Sequence, residues 1–230
     1  MSTNKSDLAA VIGKGVVGAI PFVGPLAAEV VGSIIPNQRI DRIEKLLVEL
    51  ETKISVKEQV KVKDKLNSEE SIDILEDGFI FASRALSQER LDYIASLLKN
   101  SLTEPEVKHI EYKRLLGILG QLNDIEILTL KSYVLYQTPG EEQEFWEKHG
   151  DIIRVPPAVM GSTQDEIDKY VIHQTHKNNL VALNLLKPRF KKPKKGEFPE
   201  FDDKTGMIKA SSHEITSLGR LFLRAIDQLG

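Results

Sequence analysis

His173 and His176 stand three residues apart in a stretch of helical periodicity, a spacing at which two imidazoles can share one metal ion. The nearest acids do not complete such a site: Asp168 lies five residues before His173, on another face, and Glu166 is farther still. Both histidines therefore read as structural or solvent-facing, and no metal is expected. Ser211-Ser212-His213 sets hydroxyls beside an imidazole, but it falls in a predicted strand, and no Gly-x-Ser-x-Gly elbow occurs in the chain. Gly13-Lys14-Gly15 lacks the Ser or Thr that must follow a P-loop lysine, and Leu8 stands where that loop needs its first glycine. There is no cysteine, which removes thiolate ligands, disulfides and thiol nucleophiles together. The expectation is a non-enzymatic protein with no catalytic residue and no cofactor.

A second chemical feature is a run of charge. Lys187, Arg189, Lys191, Lys192, Lys194 and Lys195 place six cations in nine residues, with Phe190 among them and Pro188 and Pro193 keeping the segment extended. Such a run can follow phosphates or contact a protein partner, which makes DNA or a partner protein its candidate ligand. Glu197, Glu200, Asp202 and Asp203 follow at once and, folded back across a hairpin, would cancel part of the field, so a plain solvated loop stands as the alternative. The net charge of −3 adds no overall attraction to polyanions. The helix that would read a DNA groove opens on Gln164, Asp165, Glu166 and Asp168, acids where groove readers carry bases or amides.

The third feature is an absence of charge. Residues 15 to 28, "GVVGAIPFVGPLAA", carry none in a chain that is 28% charged. Five of the fifteen glycines (Gly13, Gly15, Gly18, Gly24 and Gly32) fall in or beside this stretch, and small residues let helix backbones approach closely. A spanning helix needs about 20 apolar residues, whereas Lys14 and Glu29 interrupt this one. It does not read as a secretory signal either, since the apolar region starts only at Leu8 and is broken by Lys14, Pro21 and Pro25. The reading is an apolar helical hairpin: one helix from Leu8 to Ala19, a turn through Pro21-Phe22-Val23-Gly24, and a second helix from Pro25 to Ile35. Ile12, Val16, Val17, Ile20, Phe22, Val23, Leu26, Val30, Val31 and Ile34 are its candidate membrane contacts. A tightly packed core hairpin would use the same residues.

The elements that must position these features are mostly helices. Ile40, Ile43, Leu47, Leu50 and Ile54 step by three and four, a narrow stripe expected to pack on the preceding hairpin. The phase fails at Lys57 and Lys61, in a lysine-rich passage that reads as a helix end or a hinge. Helical spacing continues through "SIDILEDGFIFASRAL" and "QERLDYIASLLKN". Thr103-Glu104-Pro105-Glu106 offers a capping box for a helix reaching Leu119, and "LLGILG" reads as a core seam. Glu76, Asp77, Glu89 and Arg90 read as solvated charges. Further on, Asn123 or Asp124 caps a helix, "EEQEFWEKH" forms a short one, and Thr163 to Glu166 forms another capping box. A hairpin of "LLKPRF" and "MIKASSHEI" then leads into a helix from Thr216 with Leu218, Leu221, Phe222 and Ala225 on one face. The fold expected is mainly α: an amino-terminal helical bundle (1–66), a helical segment (67–122), and a winged-helix-like α+β domain with a small β-hairpin (123–230).

"VALNLLKPRF" followed by "HEITSLGRLFL" resembles the wing region of bacterial winged-helix proteins, in which a strand ending in a Thr-x-x-Gly turn leads into the final helix. That resemblance covers residues 123 to 230 and implies DNA binding in some relatives and protein contacts in others. "IPFVGPLAAEVVGSIIPNQRIDRIEKLLVEL", residues 20 to 50, resembles the amino-terminal segment of bacterial abortive-infection, anti-phage proteins of the Abi-alpha type, which implies action on membranes. Three readings follow. The favoured one is an anti-phage effector whose hairpin is conditionally membrane-active and whose winged domain senses or restrains it. The alternatives are a winged-helix transcriptional regulator and a helical protein-interaction scaffold. The chain is read as cytoplasmic, with the inner membrane surface as a peripheral site, and its partners as a lipid bilayer, a protein or a second copy, with DNA reachable through the basic wing.

Overall fold

The computed structural model describes residues 39–65, 68–104, 109–135, 142–201 and 206–229. The hairpin helices expected over Leu8 to Ile35, with every candidate membrane contact from Ile12 to Ile34, lie outside these residues, as does Asn67. The described chain is mainly helical with one small antiparallel sheet. In order it forms α1 (Ile40–Lys53), α2 (Val56–Lys65), α3 (Glu69–Arg84), α4 (Gln88–Thr103), α5 (His109–Gln121), α6 (Asp124–Leu135), α7 (Glu142–Ile153), α8 (Gln164–Ala182), β1 (Leu186–Phe190), β2 (Ala210–Ile215) and α9 (Ser217–Ala225). Two compact units result: the described residues through Leu122 together with Arg224–Gln228, and Asn123–Leu223 with Leu229.

In the first unit the stripe of α1 is Ile43, Leu46, Leu47 and Leu50, continued by Ile54, all buried. It packs on α3 and α4, leaving none of that stripe for a coiled-coil partner. The polar passage after it is neither a frayed end nor a hinge. Ser55, whose backbone N–H and hydroxyl both reach the Glu58 carboxylate (2.8 and 2.6 Å), starts the separate helix α2, which buries Val62. Ser68 and Ser87 cap α3 and α4 by accepting from the N–H groups of Ser71 and Arg90.

The capping box expected at Thr103 does not form. Thr103 is the last residue of α4, its hydroxyl donating to the Lys99 carbonyl (2.9 Å), so it does not cap α5, and Glu106 lies outside the described residues. Arg90 is likewise no solvated charge. Its guanidinium donates to the carbonyls of Leu119 (2.9 Å) and Leu122 (2.6 Å) at the end of α5. Arg42 does the same for Ser83 at the end of α3 (2.9 Å), and Lys65 reaches Ser101 (3.4 Å) and Glu104 (3.2 Å) at the end of α4. Three helix carboxyl ends are thus closed by cations from elsewhere in the unit, where orphan carbonyls and the helix dipole both favour positive charge. Asn100 similarly donates to the carbonyl of Ala225 (3.1 Å) and to the Asp227 carboxylate (3.0 Å).

In the second unit α6 packs on α7, α8 and β2, and α8 on β1. Leu135, Phe145 and Ile153 form a small core with Leu128 and Trp146 against it. The strands pair antiparallel, Leu186 with Ile215, Lys187 with Glu214, Pro188 with His213 and Arg189 with Ser212, and a bulge then brings Phe190 opposite Ala210. The second strand is shorter than the pattern of "MIKASSHEI" implies. Beyond it an isolated bridge joins Phe201 to Ile208. Thr216 caps α9 through the Gly219 N–H (3.0 Å), and a Cβ on Gly219 would sit 2.5 Å from the Leu185 carbonyl oxygen. The glycine of the Thr-x-x-Gly turn is there because backbone crosses it.

Candidate functional site

Two places in the second unit gather groups with chemistry: a part-buried polar cluster between α6 and α8, and the outer end of the hairpin. The cluster is built on Asn123, whose side chain accepts from the Glu126 N–H (2.9 Å) while the Glu126 carboxylate accepts from the Asn123 N–H (2.8 Å). This reciprocal cap starts α6 and leaves Glu126 only 4% exposed. Its other carboxylate oxygen accepts from Asn179 Nδ2 (3.0 Å) and lies 3.3 Å from His176 Nδ1, which is also 3.2 Å from Asn123 Nδ2. A bare Nδ1 accepts from Asn123 Nδ2, whereas an Nδ1 that carries the ring hydrogen donates to Glu126, so the tautomer decides between them. The same atom cannot do both, so His176 has two mutually exclusive bonding states at one position.

His173 does not share this site. Its Nδ1 is buried and, among the described residues, has no hydrogen-bond partner. Burial, with Lys177 and His176 nearby, holds its pKa below the ordinary histidine value; burial, with Lys177, does the same to His213 on β2. Burial also lowers Lys177. Asp168 accepts from Gln164 (2.7 Å), and Glu166 closes the Thr163 capping box (2.8 Å). Neither acid therefore faces a histidine as a ligand would, and no group of three or more metal-ligating side chains occurs among the described residues.

At the hairpin the candidate contacts divide into two sets. Lys187 and Arg189, at its base, both pair with Glu214 on the opposite strand, the lysine at 2.8 Å. These cations pull the Glu214 carboxyl below its usual range, Lys187 more than Arg189. Lys191, Lys192, Lys194 and Lys195 are exposed and, among the described residues, join no ion pair. Glu200 pairs with Lys209 (2.8 Å), which with Lys191 holds its carboxyl below the usual range. A turn at Lys194–Glu197, with Gly196 at φ +89°, carries the chain round. Ser211 and Ser212 are exposed on β2, and the Ser211 hydroxyl donates to the Arg189 carbonyl (3.0 Å) rather than to His213. Sequence reasoning missed Glu214, whose place opposite Lys187 depends on strand register, and it missed Glu126, although Asn123-x-x-Glu126 has the form of the Thr163 box.

The first unit holds a cleft of about 400 Å³ lined by Lys65, Ser68, Ser71, Ser101, His109 and Tyr112, among others. Its polar groups bond one another or the backbone: Tyr112 donates to Glu104 (3.0 Å), Ser101 to the Leu98 carbonyl (2.7 Å), and His109 lies 3.1 Å from Asp73. No helix among the described residues is long and apolar enough to cross a membrane. Comparisons with protein-family models, curated proteins and solved structures find no match to the chain.

Proposed function

We propose that the protein is a non-enzymatic effector of the abortive-infection, anti-phage type. In this reading the uncharged hairpin of residues 8–35 is its lipid-active element, and the region from α6 to α9, read as a winged-helix-like module, senses or restrains it. The observation that carries the reading is the run of residues 15–28, fourteen positions without a charge in a chain that is 28% charged. An apolar segment of this kind can exchange cover in the protein for cover in a bilayer at modest net cost. The test is release of a trapped dye from vesicles by the full chain and by a peptide of residues 1–38, each with and without Val17→Asp and Val31→Asp. Leakage that the two substitutions abolish is the expected result. If neither the chain nor the peptide releases dye, the lipid-active role fails.

A winged-helix DNA-binding regulator is the second reading, favoured by the four exposed lysines at the hairpin's outer end, which join no ion pair among the described residues. It requires salt-dependent binding of duplex DNA that disappears when Lys191, Lys192, Lys194 and Lys195 become Gln. Against it, α8 opens on the exposed acids Asp165 and Glu166, and Asp165 holds Lys169 in an ion pair (2.6 Å).

A further inference from the structure

The outer end of the hairpin presents cations and apolar side chains together. Phe190, Phe198, Phe201, Met207 and Ile208 are all exposed there, Phe198 at 91%. They are not scattered. The bridge between Phe201 and Ile208, tied by the Lys209 N–H to the Glu200 carbonyl (2.8 Å), puts those two side by side on one face of the ribbon. Ile208 lies two residues before Ala210, the first residue of β2 and the partner of Phe190. Lys191, Lys192, Lys194 and Lys195 follow Phe190 directly and precede Phe198, in the same loop as Glu197 and Glu200, and among the described residues they join no ion pair. At the base of the hairpin, by contrast, Lys187 and Arg189 share the Glu214 carboxylate in ion pairs.

We infer that this wing tip is an anchoring site for an anionic phospholipid surface. The inference rests on the membrane-acting reading and names the lipid class and the second point of contact. Phenyl, thioether and branched aliphatic groups gain from entering the acyl boundary, while lysines on long stems reach back to headgroup phosphates. Nucleic acid suits the site less well. The phenylalanine rings and the lysines would serve a nucleic acid too, but Met207 and Ile208 have no flat ring to stack on bases, and the tip from Phe190 to Phe198 offers no Arg, Asn or Gln to read base edges.

The full chain is floated with vesicles of phosphatidylglycerol and phosphatidylethanolamine, and separately with phosphatidylcholine alone. Three variants run beside it: Phe198→Ser, the fourfold Lys→Gln change at 191, 192, 194 and 195, and the hairpin pair Val17→Asp with Val31→Asp. All the wing positions are solvent-exposed, so folding is not at stake, and far-UV circular dichroism checks it. Binding to the anionic vesicles alone is expected, weakened about tenfold or more by each wing change and by raised salt. The Val17/Val31 pair should retain that binding while losing leakage, so failure of the hairpin reading is seen in the dye and failure of the wing in flotation. Wild-type binding by both wing variants overturns the inference, as does equal binding to phosphatidylcholine. A labelled duplex that binds through the four lysines but ignores Phe198→Ser, with no flotation, overturns it in favour of DNA.

Discussion

Glu126 shows how much one side chain can organise. Its carboxylate accepts from the Asn123 N–H and from Asn179, and it faces His176, while its own N–H is taken by Asn123. Removing its side chain takes the carboxylate from the Asn123 N–H and from Asn179 Nδ2, two part-buried bonds, and undoes the reciprocal half of the cap, while the Asn123 side chain still accepts from the residue-126 N–H. Glu126→Ala is therefore expected to cost about 1–2 kcal/mol, from the two lost charge-assisted hydrogen bonds. Urea unfolding followed by circular dichroism measures it, and a loss below about 0.5 kcal/mol would mean that water replaces the carboxylate freely. The box form Asn123-x-x-Glu126 was legible in the chain, as was the Thr163 box that did form. The partners Asn179 and His176 were not, because they lie about fifty residues away and only the packing of α8 on α6 brings them in. Arg90 makes the same point: local sequence shows a charge near a helix start, whereas the carbonyls it serves end another helix.

At the level of elements, the hairpin and the helix after it meet at a single tight point. The Cβ of an alanine at 219 would lie 2.5 Å from the Leu185 carbonyl oxygen and 2.7 Å from Ile215 Cγ1, so backbone as well as side chain must yield. Gly219→Ala should destabilise the chain by roughly 1–3 kcal/mol despite alanine's better helix propensity. A thermal melt compared with Gly117→Ala, where no atom lies within 4 Å of the new methyl, separates crowding from propensity. An equal or higher Tm for Gly219→Ala would refute the close approach. Helix periodicity made most elements legible, since α3, α4, α6 and α8 lie within a few residues of where apolar spacing and caps put them. It failed where capping is ambiguous: Thr103 ends a helix instead of starting one, and the lysine-rich passage after Ile54 forms its own turn and helix through Ser55 and Glu58.

For the molecule as a whole, the described histidines set an acid limit. His173 and His213 are both held below 6.5, chiefly by burial and then by Lys177. Their folded pKa values lie below the unfolded one, so above pH 6.5 both states are neutral and stability is complete. As the pH falls through 6.5 the unfolded chain takes up protons first, and stability declines until the folded values are passed. The Tm is thus expected to fall between pH 7 and pH 5, with a shallower slope in His173→Leu, which removes a buried ring nitrogen that has no partner. A Tm independent of pH over that range would contradict the burial of these rings. The sequence by itself determined the helical class, the hairpin with its cations, and the lack of any thiol chemistry, because periodicity, charge runs and composition are local properties of a chain. Tertiary structure alone decided which charges pair. Lys187 and Arg189 share Glu214 at the base of the wing, and Arg42, Lys65 and Arg90 are spent on helix ends. Pairing depends on distance in space, and strand register and helix packing set that distance between residues that the sequence keeps tens of positions apart.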